Sequence, residues 1–390
     1  MVALIFMKGM KVLLVSNDKA TAGPVRARLF AQQYDQIVMG LRNLGFQGEI
    51  PCRELDPTDP IVSGDYDERY KISKIQRALH LAGHDPTYVD ISDMSKVEEA
   101  ITSGRYDKIF HYAEGISWFP FDERETEIAA LAEKYGVPHT GSHSNVARVV
   151  FNKHKFSTRL REKGVPTPHT QLVVRADQYD GPFPVFAKPP CTGSGVGIGD
   201  NIARNRDDLD KIVTTLVTTC YQPVIVQPLI NNAKETTVAI IPYEGDVVAF
   251  MPLNVHAETY GWYEKYGKGA QHTKYSLELD RGLCQEDREL AVQAYKALHM
   301  QGYGRVDIMR NGEKHVVEIN QPAGLAFGKL NIQKRDYDIG LIVEDTQLSD
   351  LPKSVLGARD NELFAKLGIR LPCSYVEMIN DILCAPEVKY

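Results

Sequence analysis

Residues 304–321 read GRVDIMRNGEKHVVEINQ, two short apolar runs carrying Arg305 and Asp307, then Glu318 and Asn320, with Asn311-Gly312 between them. Asn-Gly tolerates the positive φ of a tight turn, so the stretch predicts two antiparallel strands in a hairpin. A two-residue turn sets Arg310 opposite Glu313, Asp307 opposite Val316 and Arg305 opposite Glu318. Alternation of side chains then puts Arg305, Asp307, Glu318 and Asn320 on one face and Val306, Ile308, Val317 and Ile319 on the other. A four-residue turn keeps that parity; a three-residue turn breaks it. With the apolar face on a core, two carboxylates left dry and unpaired would be costly, and a cation must sit beside them. Two acids and a carboxamide oxygen suit a hard divalent ion, Mg²⁺ above all, whose shell is completed by water and phosphate oxygens. An exposed sheet face with an arginine-carboxylate ion pair is the alternative that the hairpin alone leaves open.

Other segments carry residues suited to phosphate. PVFAK (184–188) is an apolar run ending in Lys188, followed by Gly193, Ser194, Gly195, Gly197 and Gly199. Glycines let backbone N–H groups approach phosphate oxygens, and a strand-end lysine adds a point charge. The glycines open no helix and precede no GKS or GKT, so neither a dinucleotide fingerprint nor a Walker loop is present. Lys153 and Lys155 lie on a basic helical stretch, FNKHKFSTRLREKG, which also reads as a solvated face. VIVQPLI, with Glu235 after it, offers backbone for an adenine edge and a carboxylate for a ribose. WYEKYGKGAQHTKY (262–275) has the composition of a surface loop or a lid over a polyanion.

The elements that must hold these groups follow from periodicity. KVLLVS (11–16), PTYVDI (86–91), DKIFHY (107–112) and VPHTG (137–141) predict strands. ERYKISKIQRALHLAG and ERETEIAALAEKYG, with apolar residues at three-to-four spacing, predict helices between them. Alternating strands and helices indicate a parallel α/β lobe over residues 1–145, and residues 17–67 read as an insertion. A small α+β lobe follows over 146–230, then a lobe with its own antiparallel sheet over 231–390. The 390 residues, 43% hydrophobic, suffice for several cores, and a net charge of −6 argues against nucleic-acid or membrane-surface binding. Six cysteines without a CxxC pair predict neither a zinc site nor a disulfide framework, which suits a reducing cytoplasm.

In order and spacing, TGSH (140–143), FNKHK (151–155), GVPTP (164–168), FPVFAKPPCTGSGVG (183–197), QPLI with Glu235, YEKY (263–266), RVDIM and VEIN together resemble the ATP-grasp enzymes of the D-alanine:D-alanine ligase type. The resemblance covers residues 85–330, with a weaker echo in KLGIRLPCSYVEMINDIL. It implies a three-lobed fold with a Rossmann-like first lobe and ATP held between two antiparallel sheets. Lys153 and Lys188 would bind phosphates under the loop of Gly193, Ser194, Gly195 and Val196. Gln227 and Ile230 would face the adenine, Glu235 the ribose, and Lys265 and Tyr266 would lie on a lid. Asp307, Glu318 and Asn320 would hold two Mg²⁺ ions, replaceable by Mn²⁺, and Arg305 would stabilise charge during transfer. The implied reaction joins a small-molecule carboxylate to an amine through an acyl phosphate, with a homodimer through the first lobe. A phosphotransferase acting on a hydroxyl is the competing reading of the same site.

Both substrate subsites depart from the D-alanine ligases. The segment after the first strand, SNDKATAGPVRARL, has no acid beyond Asp18 where the family carries the glutamate that grips the first ammonium. QPAGLAFGKL replaces the serine-bearing stretch that holds the second carboxylate, leaving Gly324 in place and Lys329 near the serine position, and residues 331–365 are extra. The expectation is therefore a ligase for a pair other than D-alanine, in specialised metabolism.

Overall fold

The computed structural model of the protein describes residues 9–243, 245–256, 274–277, 280–332, 335–341 and 375–390. Three apolar runs form a parallel sheet of β1 (Lys11–Ser16), β2 (Asp85–Asp90) and β3 (Lys108–Tyr112) in the order β2-β1-β3. The central strand is fully buried along Val12–Val15, as expected of a parallel strand covered on both faces. The fourth strand expected at 137–141 is reduced to one parallel bridge between Ile109 and His139. Pro138, which has no N–H to give, accepts from Ile109 N there.

Residues 17–67 are folded. Asp18 caps the helix Lys19–Asn43 by accepting from Ala20 N, and the chain returns through the short helix Pro60–Ser63. The ends meet: Asp18 and Asp67 form a bridge, with Lys19 N donating to Asp67 O at 2.9 Å. Phe30, Ile37, Leu41, Ile61 and Val62 of this segment share one buried cluster with Val185, Ala187, Val196 and Val217. At roughly 1.5–3 kcal/mol per buried large apolar side chain, that cluster is enough to fix the segment against the next lobe.

That lobe carries an antiparallel sheet of β4 (Gln171–Val173), β5 (Val185–Lys188), β6 (Ile202–Ala203) and β7 (Val224–Pro228), in the order β4-β7-β5-β6. The helix Arg206–Cys220 packs on it through Leu209, Val213 and Val217. A second antiparallel sheet contains β8 (Lys234–Tyr243), β9 (Asp246–Ala249), β10 (Leu253–His256), β11 (Lys274–Leu277), β12 (Gly304–Asn311) and β13 (Glu313–Asn320), along the path β11-β10-β8-β12-β13. Val306, Ile308, Val316 and Ile319 on its inner face pack with Phe156, Leu160, Ala291, Ala294 and Tyr295 from the helices Lys153–Glu162 and Arg281–Ala297. β14 (Ala326–Ile332) and β15 (Arg335–Leu341) form a separate ribbon. The helix Tyr375–Cys384 returns to the first lobe, its Met378, Ile379 and Ile382 packing with Ile72, Ile75 and Leu79. Among the described residues no helix is long and apolar enough to cross a membrane.

Candidate active site

The hairpin β12–β13 differs from expectation in register. Arg310 lies opposite Lys314, so the turn around Gly312, at φ +72°, holds three residues rather than two. Continued unchanged, that register would set Asp307 opposite Val317 and turn Glu318 towards the core. A β-bulge intervenes: Ile308 still pairs with Val316, but Asp307 pairs with Glu318 and Arg305 with Asn320, leaving Val317 as the extra residue. The expected pairs of Arg310 with Glu313, Asp307 with Val316 and Arg305 with Glu318 do not form. Val316 replaces Val317 in the core, and Val317 lines the cleft. The odd turn and the bulge cancel, so Arg305, Asp307, Glu318 and Asn320 share one face after all.

Their partners are specific. Arg305 reaches Asp307 with Nε to Oδ1 at 3.1 Å and a second guanidinium N–H to Oδ2 at 3.2 Å. Thr237 Oγ1, opposite on β8, donates to Asp307 Oδ1 at 2.6 Å, and Asn320 Nδ2 donates to Oδ2 at 2.9 Å. Glu318 pairs instead with Lys153, Nζ to Oε1 at 2.9 Å. Lys153 opens its helix behind Asn152, which accepts from His154 N and Lys155 N; Lys155 pairs with Asp122. The arginine–carboxylate ion pair of the alternative does form, within one strand, but on a buried rather than an exposed face, and the carboxylates still converge. Asp307, Glu318 and the Asn320 carbonyl suit a hard cation by donor type. Among the described residues no group of three or more His, Cys, Asp or Glu could hold a metal alone, so phosphate or water oxygens would have to complete the shell.

An open cleft of about 1640 Å³ separates the two antiparallel sheets. Lys188, Gly195 and Gln227 line it from one side, Glu235, Asp307, Val317 and Glu318 from the other, with Ile230 between. Burial pushes the Lys188 ammonium down to about 8, against the opposing pull of Glu318, Glu235 and Asp307. A buried lysine of this kind gains most from an anionic ligand. The Val196 side chain lies in the apolar core, with Cγ2 set against Gly64. Gly324 is half-buried beyond the end of β13. Lys329 belongs to β14, whose backbone alone is described, and Lys265 and Tyr266 lie outside the described residues.

Sequence reasoning missed a second set of polar residues. Asp65, in the segment 17–67, accepts from Gly193 N at 3.3 Å and from the Ser194 side chain, and pairs with Arg124 at 2.9 Å. A Cβ at residue 193 would stand 2.7 Å from Asp65 Oδ1, which explains the glycine. Burial works to raise the Asp65 carboxyl, but Arg124, Ser194 and Arg26 outweigh it and hold it below the usual range. Arg124 also lies 3.4 Å from Glu125 and 3.6 Å from Glu114. In sequence, ERET looks like the exposed start of a helix; in the fold, Arg124, Glu125 and Thr126 form a buried 3₁₀ turn. No local periodicity announces that. Thr237 closes the polar run Lys234–Thr237 at the start of β8, and nothing in that run singles it out.

The family profile described as the D-ala D-ala ligase C-terminus matches residues 154–328, a span holding Lys188, Glu235, Asp307, Glu318 and Asn320. The chain is an ATP-dependent ligase with the ATP-grasp fold, similar to the D-alanine–D-alanine ligases. This ATP-grasp ligase is 26% identical over 287 residues to D-alanine–D-alanine ligase B of Xanthomonas campestris pv. campestris, covering 70% of the chain and 85% of that relative. Its fold is similar to the crystal structure of the Bacillus anthracis D-alanine–D-alanine ligase, with a TM-score of 0.59, 16% identity and 97% of both chains covered. The same enzyme complexed with ATP matches with a TM-score of 0.57, 15% identity and the same coverage. The ATP-grasp ligase therefore has the α/β and α+β architecture expected from its sequence, with the parallel sheet at its N-terminal end.

Proposed function

We propose that the protein uses ATP and a divalent cation to activate a carboxylate as an acyl phosphate, which an amine then attacks to form an amide, releasing ADP and phosphate. The observation that carries this reading is the convergence of Asp307, Glu318 and Asn320 on one sheet face, with Lys153 paired to Glu318 and Lys188 on the same cleft wall as Gln227. Asp307, Glu318 and Asn320 would hold Mg²⁺, or Mn²⁺ in its place, as two ions; the metal supplies charge neutralisation at the transferring phosphate. Lys153 and Lys188 position the phosphates, the loop 193–197 covers them, and Gln227, Ile230 and Glu235 hold the nucleoside. Arg305, fixed by Asp307, faces the same side and offsets negative charge as the carboxylate and phosphate approach. Little proton transfer is required of the protein, whose work is orientation and electrostatics.

The substrates are a pair other than two D-alanines. Support comes from QPAGLAFGKL after β13, from the extra residues 331–365, and from the folded segment 17–67 that brings Asp65 to the loop 193–197. Free cysteines at 52, 191, 220, 284 and 384 suit a reducing cytoplasm, and a homodimer through the first lobe belongs to the same proposal.

Incubation with ATP, Mg²⁺ and mixtures of D- and L-amino acids, read by mass spectrometry and phosphate release, tests the reaction. Phosphate should appear together with an amide product. A phosphoester product would replace the ligase reading with a phosphotransferase, and a D-alanine dimer as the main product would remove the specificity claim.

A further inference from the structure

Two glutamines of the central lobe are equally buried, Gln222 and Gln227 each being 6% exposed, yet they differ in what holds them. The Gln222 carboxamide is spent on backbone, its Oε1 accepting from Cys191 N at 2.8 Å and its Nε2 lying 3.5 Å from Cys191 O. Gln227 has no such anchor: among the described residues its carboxamide makes no hydrogen bond. Its direction follows from the strand. Val224 and Val226 of β7 lie in the apolar core, so alternation sends Gln227 to the other face, across from Phe186 of β5 and into the cleft. Phe186, Ile202 and Ile230 line the cleft on that side, and Met309 and Val317 line it from the facing sheet. Apolar walls with a buried polar group between them suit a flat heteroaromatic ring read at its edge.

A polar group buried beside a cleft without a partner is costly until a ligand supplies one. The type of group decides which ligand does so. A carboxamide carries an acceptor and a donor, and a half-turn about its last bond exchanges them. A second hydrogen bond from the protein would fix one orientation, and among the described residues none does. Gln227 can therefore accept from a ring amino group or donate to a ring carbonyl. Strong discrimination arises where the wrong ligand leaves a buried group unpaired, and here neither ligand does. We propose that Gln227 is a specificity-determining residue that admits 6-oxopurine nucleoside triphosphates as well as ATP. Its Oε1 meets a 6-amino group and its Nε2 a 6-oxo group. The proposal rests on the nucleotide-cleft reading and deepens it, because the phosphoryl donor becomes a class of purine triphosphates.

Calorimetric titration of the full chain with Mg²⁺ and either ATP or inosine triphosphate tests this without turnover. The wild type should bind the two with Kd values within about tenfold of each other. An ionised carboxylate only accepts, so Gln227→Glu should keep ATP binding and widen the ratio in favour of ATP by about tenfold or more. Any preference set at position 1 of the ring is common to both proteins and drops out of that comparison. Gln227→Leu offers neither donor nor acceptor and should weaken both nucleotides while leaving their ratio near that of the wild type. A wider wild-type ratio, a ratio that Gln227→Glu leaves unchanged, or unaltered affinities in Gln227→Leu would overturn the proposal while the nucleotide cleft stands. Failure of the wild type to bind either nucleotide would overturn both.

Discussion

The N–H of Gly193 donates to Asp65 Oδ2 at 3.3 Å across 128 positions of sequence, so the segment 17–67 holds one end of the loop 193–197. Arg124 fixes Asp65 in turn, at 2.9 Å. Asp65→Asn keeps the shape but weakens both contacts. Because Arg124 retains Glu114 and Glu125, the fold should survive, and the KM for ATP should rise by about 3- to 10-fold. Steady-state kinetics on purified variant and wild type measure this; an unchanged KM for ATP would separate Asp65 from the loop's function.

Glu318→Gln removes one of two converging carboxylates and leaves Lys153 with a neutral partner. Metal-dependent phosphate release should fall on the order of 10²-fold or more. Titrating Mg²⁺ and Mn²⁺ against rate shows whether the loss lies in metal use, since more metal should recover part of the rate.

Deleting Val317 removes the bulge but keeps Ile308 opposite Val316 and Asp307 opposite Glu318, so Glu318 and Asn320 stay on the face of Arg305 and Asp307. The shortened chain should therefore keep metal-dependent phosphate release and a urea midpoint close to that of Val317→Ala. Loss of phosphate release in a folded protein would show that the bulge itself aims the carboxylates.

Burial pushes the Glu125 carboxyl up to about 8, Arg124 opposing and Asp65 and Glu127 adding to the rise. The folded protein therefore holds a proton that the unfolded chain releases from about pH 4.3 upwards. The contribution is full below the unfolded value and is lost as pH rises through about 8. Glu125→Gln deletes this titration, so its stability relative to wild type should increase between pH 5 and pH 8.5. Thermal unfolding across that range checks the slope; parallel curves would remove the assignment.

Lys329 lies on β14, six positions after Ala323, in the stretch that departs from the D-alanine ligases. If its ammonium meets the acceptor's carboxylate, Lys329→Ala should raise the acceptor KM far more than the KM for ATP. Equal effects on both would discard that contact.

The strands around the candidate nucleotide cleft were legible because each sits in a short, strongly patterned run: VFAK, VIVQP, GRVDIM and VVEIN all became strands close to the expected bounds. The hairpin's face was inferred rightly from a wrong register. Periodicity reports parity, and a three-residue turn followed by a bulge changes parity twice. Glu114, Arg124 and Glu125 were illegible for a different reason. Their polarity signals solvent, and their burial depends on the segment 17–67 folding over them, a long-range event that no local window contains. Asp65 was hidden likewise, in a run rich in Ser, Gly and Asp that gives no regular pattern.

Since Asp18 and Asp67 are joined backbone to backbone, everything between them hangs from a closed neck. The outer turns of such a module can change in length without shifting the strand it leaves or the helix it rejoins. Its inner side has no such freedom, since Asp65 and the shared apolar cluster tie it to the loop 193–197 and the neighbouring lobe.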